Sequence, residues 1–345
     1  MDNNSVEKMT EQAPPPPAII MQIGSGAMFT QALGVAAELG IADLIHEGRG
    51  KVNEMAAVTG AHERSLYRVL RSLASVGVFR EISPRTFENT PVSETLRSGT
   101  PDSMRSTALF MAAPWHYNVF AEMKHSVMTG ETAWEKTHGS GPFDWLQDRP
   151  AEAELFNNCM TELSVGAAPP VVEAYDFSGI NTLADIAGGH GYLLSQILRA
   201  NPSMRGILFD MEQVIAGADQ TLEQHGVSER VEKMSGDFFE EVPAADAYIM
   251  KHIIHDWDDD RCVTILKNIH RAMTGDGKVL IVEMVVPEGN DPHPSKSLDL
   301  EMLASPGGLE RTEGEYRDLY AAAGFRLNRI VPTKSPFSII EGVKA

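Results

Sequence analysis

The sequence predicts an α/β protein: a parallel sheet covered by helices on both faces in the C-terminal half, behind a mostly helical N-terminal half with a winged-helix pattern. Three observations predict it. After Pro169, short apolar runs alternate with stretches of helical periodicity. The first of those runs, "TLADIA" at 182–187, passes into the glycine turn "GGHG" and then into another helical stretch. Between Lys51 and Thr90, two helix patterns are followed by a hairpin pattern.

A chain of 345 residues with 43% hydrophobic content fills one large or two ordinary cores, and two domains are expected. Its 29 basic and 48 acidic residues leave a net charge of −19, which opposes a nucleic-acid backbone or an anionic membrane as partner and suits a small neutral or cationic ligand. Cys159 and Cys262 are too few for a disulfide framework and read as buried free thiols of a reducing cytoplasm. The start, "MDNNSVEKMTEQAPPPP", lacks the basic, apolar and small-residue parts of a secretory signal and reads as a disordered tail over residues 1–17. The apolar stretch from Ala18 to Ile45 is interrupted by Gln22, Ser25, Thr30, Gln31, Glu38 and Asp43, so buried amphipathic helices are expected there rather than a membrane span.

Residues 18–100 make the first expected domain. Asn53 is placed to cap a short helix that Gly60 ends. Leu66, Val69, Leu70, Leu73 and Val76 give the next helix one apolar face, and Gly77 closes it. "VFREI" and "TFENT", separated by Ser83, Pro84 and Arg85, form the wing. Arg64, Arg68 and Arg71 on the second helix resemble a DNA-reading face, yet residues 51–90 hold only six basic against four acidic residues. A structural, dimer-forming role is therefore expected. Residues 101–168 read as a helical linker and pocket region, in which Phe156 and Met160 either pack in a core or line a pocket for a flat apolar ligand.

The last expected domain spans residues 169–345. Its strands are "TLADIA", "RGILFD" ending in Asp210, "ADAYIMK" and "KVLIVEMVV". A glycine turn lets a ligand approach the backbone, and an acid ending the next strand can take both hydroxyls of a ribose. A nicotinamide dinucleotide fits that far, but its fingerprint needs glycine where Leu194 stands, and no phosphate-binding lysine follows the turn. Asp185 before the glycines, together with Asp210, suits a cofactor bearing an amino acid and an adenosine, such as S-adenosyl-L-methionine.

The stretch "IIHDWDDD", Ile253 to Asp260, admits a metal site, a catalytic base at His255 or a solvated loop. Acids that follow one another on a helical turn diverge rather than converge on a cation, so no metal is expected. Asp256 and Asp258 to Asp260 read as first-turn charges facing the positive end of a helix dipole.

In order and spacing, "LADIAGGHG", "GDFF", "MKHIIHDWDDD", "GKVLIVEMVVP" and "MLASPGGLERTEGEYRDLYAAAGF" resemble the S-adenosylmethionine-dependent small-molecule O-methyltransferases, which include plant caffeate O-methyltransferase and bacterial natural-product enzymes. The resemblance runs from about Gly24 to the C-terminus. It implies a Rossmann-like methyltransferase sheet, an N-terminal winged-helix dimerisation domain and a homodimer. It also implies that Gly188, Gly189 and Gly191 line the methionine end, that Asp210 holds the ribose, and that Asp237, Phe238 and Lys251 contact the adenine region, with S-adenosylhomocysteine as product. Trp257 and Met302, inside two of these motifs, are expected beside the acceptor with Phe156 and Met160. Ala187 stands where the family's loop usually begins with glycine, Phe238 replaces a frequent methionine, and the lead-in to "SPGG" is shorter than in the plant enzymes.

In the resembling enzymes two glutamates, here Glu283 and Glu310, bracket the histidine. A phenol with a pKa of about 10 is a poor nucleophile at neutral pH until a base takes its proton. A carboxylate accepting from Nδ1–H fixes the tautomer and stabilises the imidazolium. The expected protein is thus a homodimeric, metal-independent O-methyltransferase for a small aromatic or polyketide-like hydroxyl compound, with neither nucleic acid nor membrane as partner. A winged-helix regulator, a non-methylating relative and an N-methyltransferase are the rival readings.

Overall fold

The computed structural model describes residues 14–345, and the chain divides into two compact units at Arg97 and Ser98. Of the expected tail, residues 1–13 lie outside the described residues, and a helix begins at Pro16, inside the segment expected to be tail.

In the first unit, helices Pro16–Glu38, Ile41–His46, Val52–Thr59 and Glu63–Ser75 precede the antiparallel hairpin of β1 (Phe79–Ser83) and β2 (Thr86–Asn89). Leu66, Leu70 and Leu73 are the buried face of the fourth helix. Gly60 ends the third helix in the left-handed region at φ 73°, but that helix starts after extended Lys51, with no side-chain cap, rather than at Asn53. The first helix departs from the expectation of burial. Ile20, Met21 and Ile23 are 71%, 72% and 72% exposed, and only Gly34, Ala36 and Ala37 are buried. At about 100° per residue, Ile19, Ile20, Met21 and Ile23 spread over roughly 200° of the helix circumference, wider than one narrow stripe.

The second unit opens with helices and continues as a seven-stranded sheet. Its strands are β3 (Thr182–Ile186), β4 (Arg205–Asp210), β5 (Val231–Ser235), β6 (Ala245–Lys251), β7 (Met273–Glu283), β8 (Phe325–Pro332) and β9 (Ser338–Lys344). Their order is β5-β4-β3-β6-β7-β9-β8. The first five are parallel, as the strand and helix alternation predicts, while β9 runs antiparallel to both β7 and β8. The reversal follows from the short 333–337 connection, which allows a hairpin and is too short for a crossover helix. β5 was invisible to pattern reading because "VEKMS" is an exposed edge strand without apolar alternation.

Helices cover both faces of the sheet. Leu183, Leu194, Leu208 and Leu280 belong to one buried layer, and Ile186, Tyr248, Ile265 and Ile281 to the other. Because strand order reverses between β3 and β6, the carboxyl ends of the parallel strands open a crevice there. Asp185, Asp210, Lys251 and Glu283 stand at or beside those ends.

Candidate active site

The turn after β3 is shaped by what cannot fit. A Cβ at Gly188 would lie 2.5 Å from a Leu208 methyl and 2.7 Å from the Asp185 carboxyl. Gly189 is left-handed at φ 60°, and its N–H donates to Asp210 Oδ2 at 2.8 Å. Ala187 also adopts a left-handed φ of 54°, where an L-residue is strained and the family's usual glycine is not. Its N–H is tied to the Phe209 carbonyl at 2.7 Å, which holds it there. Gly191, at φ 75°, starts helix Tyr192–Ala200.

Asp185 is 2% exposed, and its Oδ2 has no hydrogen-bond partner among the described residues. Burial pushes its carboxyl up to about 7, against the attraction of Lys251. Such an atom fits a ligand that brings a donor or a cation, as the ammonium of an amino-acid group would. Asp210 is raised by burial and in part restrained by N–H donors from Gly189 and Met211, the latter at 2.7 Å. Lys251, at the end of β6, is pulled down to about 8 by burial, against the acids Asp185, Asp256 and Glu283. Asp237 is exposed, and its Oδ1 accepts from Phe239 N–H at 2.8 Å, a local turn that sets Phe238. A Cβ at Gly236 would strike the Phe209 ring at 2.7 Å. An unpartnered acid, a turn with no room for side chains and a strand-end acid together fit an amino-acid nucleoside such as S-adenosylmethionine.

His255 lies in a single 3-10 turn, Ile254–Asp256, after β6. It is 4% exposed. Its Nδ1 is 2.6 Å from Glu310 Oε1, and its Nε2 is 3.5 Å from Asp256 Oδ1. Burial alone would lower the imidazole, but Asp256, Glu310 and Glu283 outweigh it and push His255 up to about 9. Glu283 does not touch the ring. Its Oε1 accepts from the backbone N–H groups of Ile253 at 3.2 Å and His255 at 3.0 Å, and its Oε2 accepts from the Tyr316 hydroxyl. It therefore fixes the turn from below, while Glu310 orients the imidazole.

The aspartate run splits into two jobs. Asp258 caps helix Asp259–Ala272 by accepting from Arg261 N–H at 2.9 Å, and Asp259 and Asp260 occupy its first turn as expected. Asp256 is not a helix charge. It faces the His255 imidazole, and burial pushes its carboxyl up to about 7.

Sequence reading missed several supports. The Arg311 side chain is fully buried and donates to the carbonyls of Ile254 and Trp257, each at 3.0 Å, and to Asp259 at 2.8 Å, so it clamps both ends of the histidine turn. A Cβ at Gly308 would lie 2.0 Å from the His255 carbonyl oxygen, so only glycine lets the "SPGG" loop approach closely enough to bring Glu310 to the ring. Arg311 follows Glu310 directly in the sequence, but nothing local pairs it with the histidine turn.

A cavity of about 830 Å³, at the upper end of the range for small-molecule sites, joins these parts. Its lining contains Asp185, Gly188, Gly189, Asp210, Asp237, Phe238, Lys251, His255 and Trp257 at or after the strand ends, and Phe156, Met160 and Met302 from helices. Gly191, Glu283 and Glu310 are not in the lining; they act from behind it. Among the described residues no group of histidine, cysteine and acidic side chains is arranged to hold a metal.

Residues 120–326 match the O-methyltransferase domain family, and residues 21–99 match the O-methyltransferase dimerisation domain family. A phenazine O-methyltransferase of Lysobacter antibioticus is 48% identical over 330 residues, covering 95% of this chain and 96% of that protein. An 8-amino-8-demethylriboflavin N,N-dimethyltransferase of Streptomyces davaonensis is 35% identical over 315 residues, covering 90% of each. Among solved structures, an O-methyltransferase of neocarzinostatin biosynthesis, in complex with S-adenosylmethionine and 2-hydroxy-5-methyl naphthoic acid, superposes with a TM-score of 0.79 at 31% identity, over 92% of this chain and 96% of that one.

Proposed function

The chain belongs to the O-methyltransferase family and takes its methyl group from S-adenosylmethionine, and on that premise we propose that it methylates a hydroxyl of a small aromatic or polyketide-like molecule, as a homodimer, with His255 as general base and without a metal. The observation that carries this reading is the 2.6 Å bond from His255 Nδ1 to buried Glu310, beside a cavity that also contains the cofactor-type residues. Phe156, Met160, Trp257 and Met302 supply flat, adaptable apolar walls for a ring system.

Bound in the cavity, S-adenosylmethionine supplies an electrophilic methyl group on a sulfonium. Asp185 would meet its ammonium, Asp210 its ribose, and Asp237, Phe238 and Lys251 its adenine region. His255 Nε2 would take the proton of the acceptor hydroxyl while Glu310 holds Nδ1–H and balances the imidazolium. The raised pKa suits that task. An ordinary imidazole at about 6.5 faces a transfer about 3.5 units uphill from a phenol, roughly 5 kcal/mol, whereas at about 9 the gap is about one unit, roughly 1.4 kcal/mol. The cost is occupancy: at pH 7 only about one molecule in a hundred carries the bare base.

The N,N-dimethyltransferase relative favours one second reading, an amine acceptor. A neutral amine needs no base before it attacks, so the two readings separate chemically. Incubation with cofactor and a panel of phenols, flavonoids, phenazines, anthraquinones and aromatic amines, read by mass spectrometry, should yield methyl ethers. Methylated amines with no ether from any hydroxyl compound would overturn the hydroxyl reading.

The dimer reading rests on helix Pro16–Glu38, whose exposed apolar side chains fall partly inside the stretch matched to the dimerisation family. That helix is also long and apolar enough, by length and composition, to cross a membrane. The family match favours a second copy of the chain as its cover.

A further inference from the structure

We propose that His116 and Glu301 form a second recognition pair in the acceptor cavity, one that binds a further hydroxyl or N–H of the acceptor beside the hydroxyl that reacts. The proposal rests on the acceptor reading above and extends it to selectivity. His116, on the short helix Pro114–Tyr117, is 3% exposed, and its Nε2 lies 2.8 Å from Glu301 Oε1 on helix Pro294–Ala304. Both side chains line the cavity that His255 also lines.

The imidazole is set firmly. Its ring centroid is 4.0 Å from that of Phe110 and 5.2 Å from that of Phe120. Its Nδ1 is buried and has no hydrogen-bond partner among the described residues. With Glu301 as the acceptor the bonded Nε2 carries the proton, and that tautomer leaves Nδ1 as a bare acceptor. A buried acceptor in an aromatic wall gains most from a donor that arrives with the ligand. The neighbouring Glu301 carboxylate repels an anionic substituent there, so hydroxyl and N–H groups are preferred to carboxylates. A pair that merely tied two helices together would be indifferent to the ligand's second substituent.

The test is calorimetric binding to protein saturated with S-adenosylhomocysteine, using 2-naphthol, a set of dihydroxynaphthalene isomers and a hydroxynaphthoic acid as probes. At least one dihydroxy isomer should bind about 10-fold tighter than 2-naphthol, and the acid more weakly than 2-naphthol. His116→Phe should bring the dihydroxy advantage, read as the ratio of the dihydroxy isomer's affinity to that of 2-naphthol on the same protein, close to one. Glu301→Gln, which keeps the shape of the pair, should reduce the same ratio and serves if the first variant does not fold. No dihydroxy isomer binding tighter than 2-naphthol, or a ratio unchanged in a folded variant, would overturn the pair's role. Methyl ether formation from the same probes with S-adenosylmethionine reports separately on hydroxyl methylation, so its absence beside an intact binding ratio would count against the acceptor reading and not against the pair.

Discussion

His255 sits among three carboxylates that do different things: Glu310 binds its ring, Glu283 binds its backbone, and Asp256 faces its other nitrogen. Their combined field lifts the imidazole to about 9, so the bare base that the proposed mechanism requires is populated as pH rises. The rate at limiting cofactor and acceptor should climb through the neutral range, reach half of its plateau at about pH 9 and level off only above it. Glu310→Gln removes one of the charges that raise His255, so the midpoint of that profile should move down and the plateau should fall, because a weaker base takes the proton. A midpoint that stays or rises in this variant would contradict the assignment. On the cofactor side, Asp210→Ala should weaken S-adenosylhomocysteine binding by about 10- to 100-fold, since charge-assisted acceptors for both ribose and loop N–H are lost together. Calorimetry reads it, and unchanged affinity in a folded variant would remove Asp210 from the site.

The elements around the site explain what pattern reading could reach. The glycine turn, the strand ends and the histidine motif were legible because each is a local grammar: small residues where a turn needs them, apolar runs where strands are buried, a capping aspartate before a helix. What stayed hidden depends on the third dimension. The sequence reads Asp256 as one more helix charge because nothing local separates it from Asp258 and Asp259, yet a single 3-10 turn aims it at the imidazole. Arg311 and the pairing of His116 with Glu301 were missed because each joins residues far apart in the chain. Strand β8 leaves no sequence signal because "FRLNRIVP" is largely exposed without apolar alternation, and the antiparallel run of β9 is set by its pairing with β7 and β8. Gly308 gives an element-scale prediction. In Gly308→Ala the added Cβ collides with the His255 backbone, so the loop must retreat and Glu310 leaves the ring. Turnover should fall by at least about 10-fold with cofactor affinity retained, the signature of a misplaced catalytic group. Equal losses in cofactor binding would instead point to general unfolding, and normal turnover would refute the role given to the loop.

At the scale of the whole molecule, one unit carries exposed apolar helix surface and the other carries the chemistry. Light scattering should find a stable dimer; a stable and active monomer would contradict the proposed role of helix Pro16–Glu38. Thorough chelation should leave turnover intact, and a loss restored by magnesium would reverse the metal-free reading. The central claim is that cofactor binding and proton removal belong to separate parts of one cavity, and His255→Ala with an acceptor found by the product screen tests it most directly. Single-turnover rates and calorimetry on the same protein should show unchanged affinity for S-adenosylhomocysteine and a rate lowered by roughly 100-fold at neutral pH, the deficit shrinking as pH nears the acceptor's own pKa. A folded His255→Ala protein that methylates that hydroxyl at a near-normal neutral rate would contradict it.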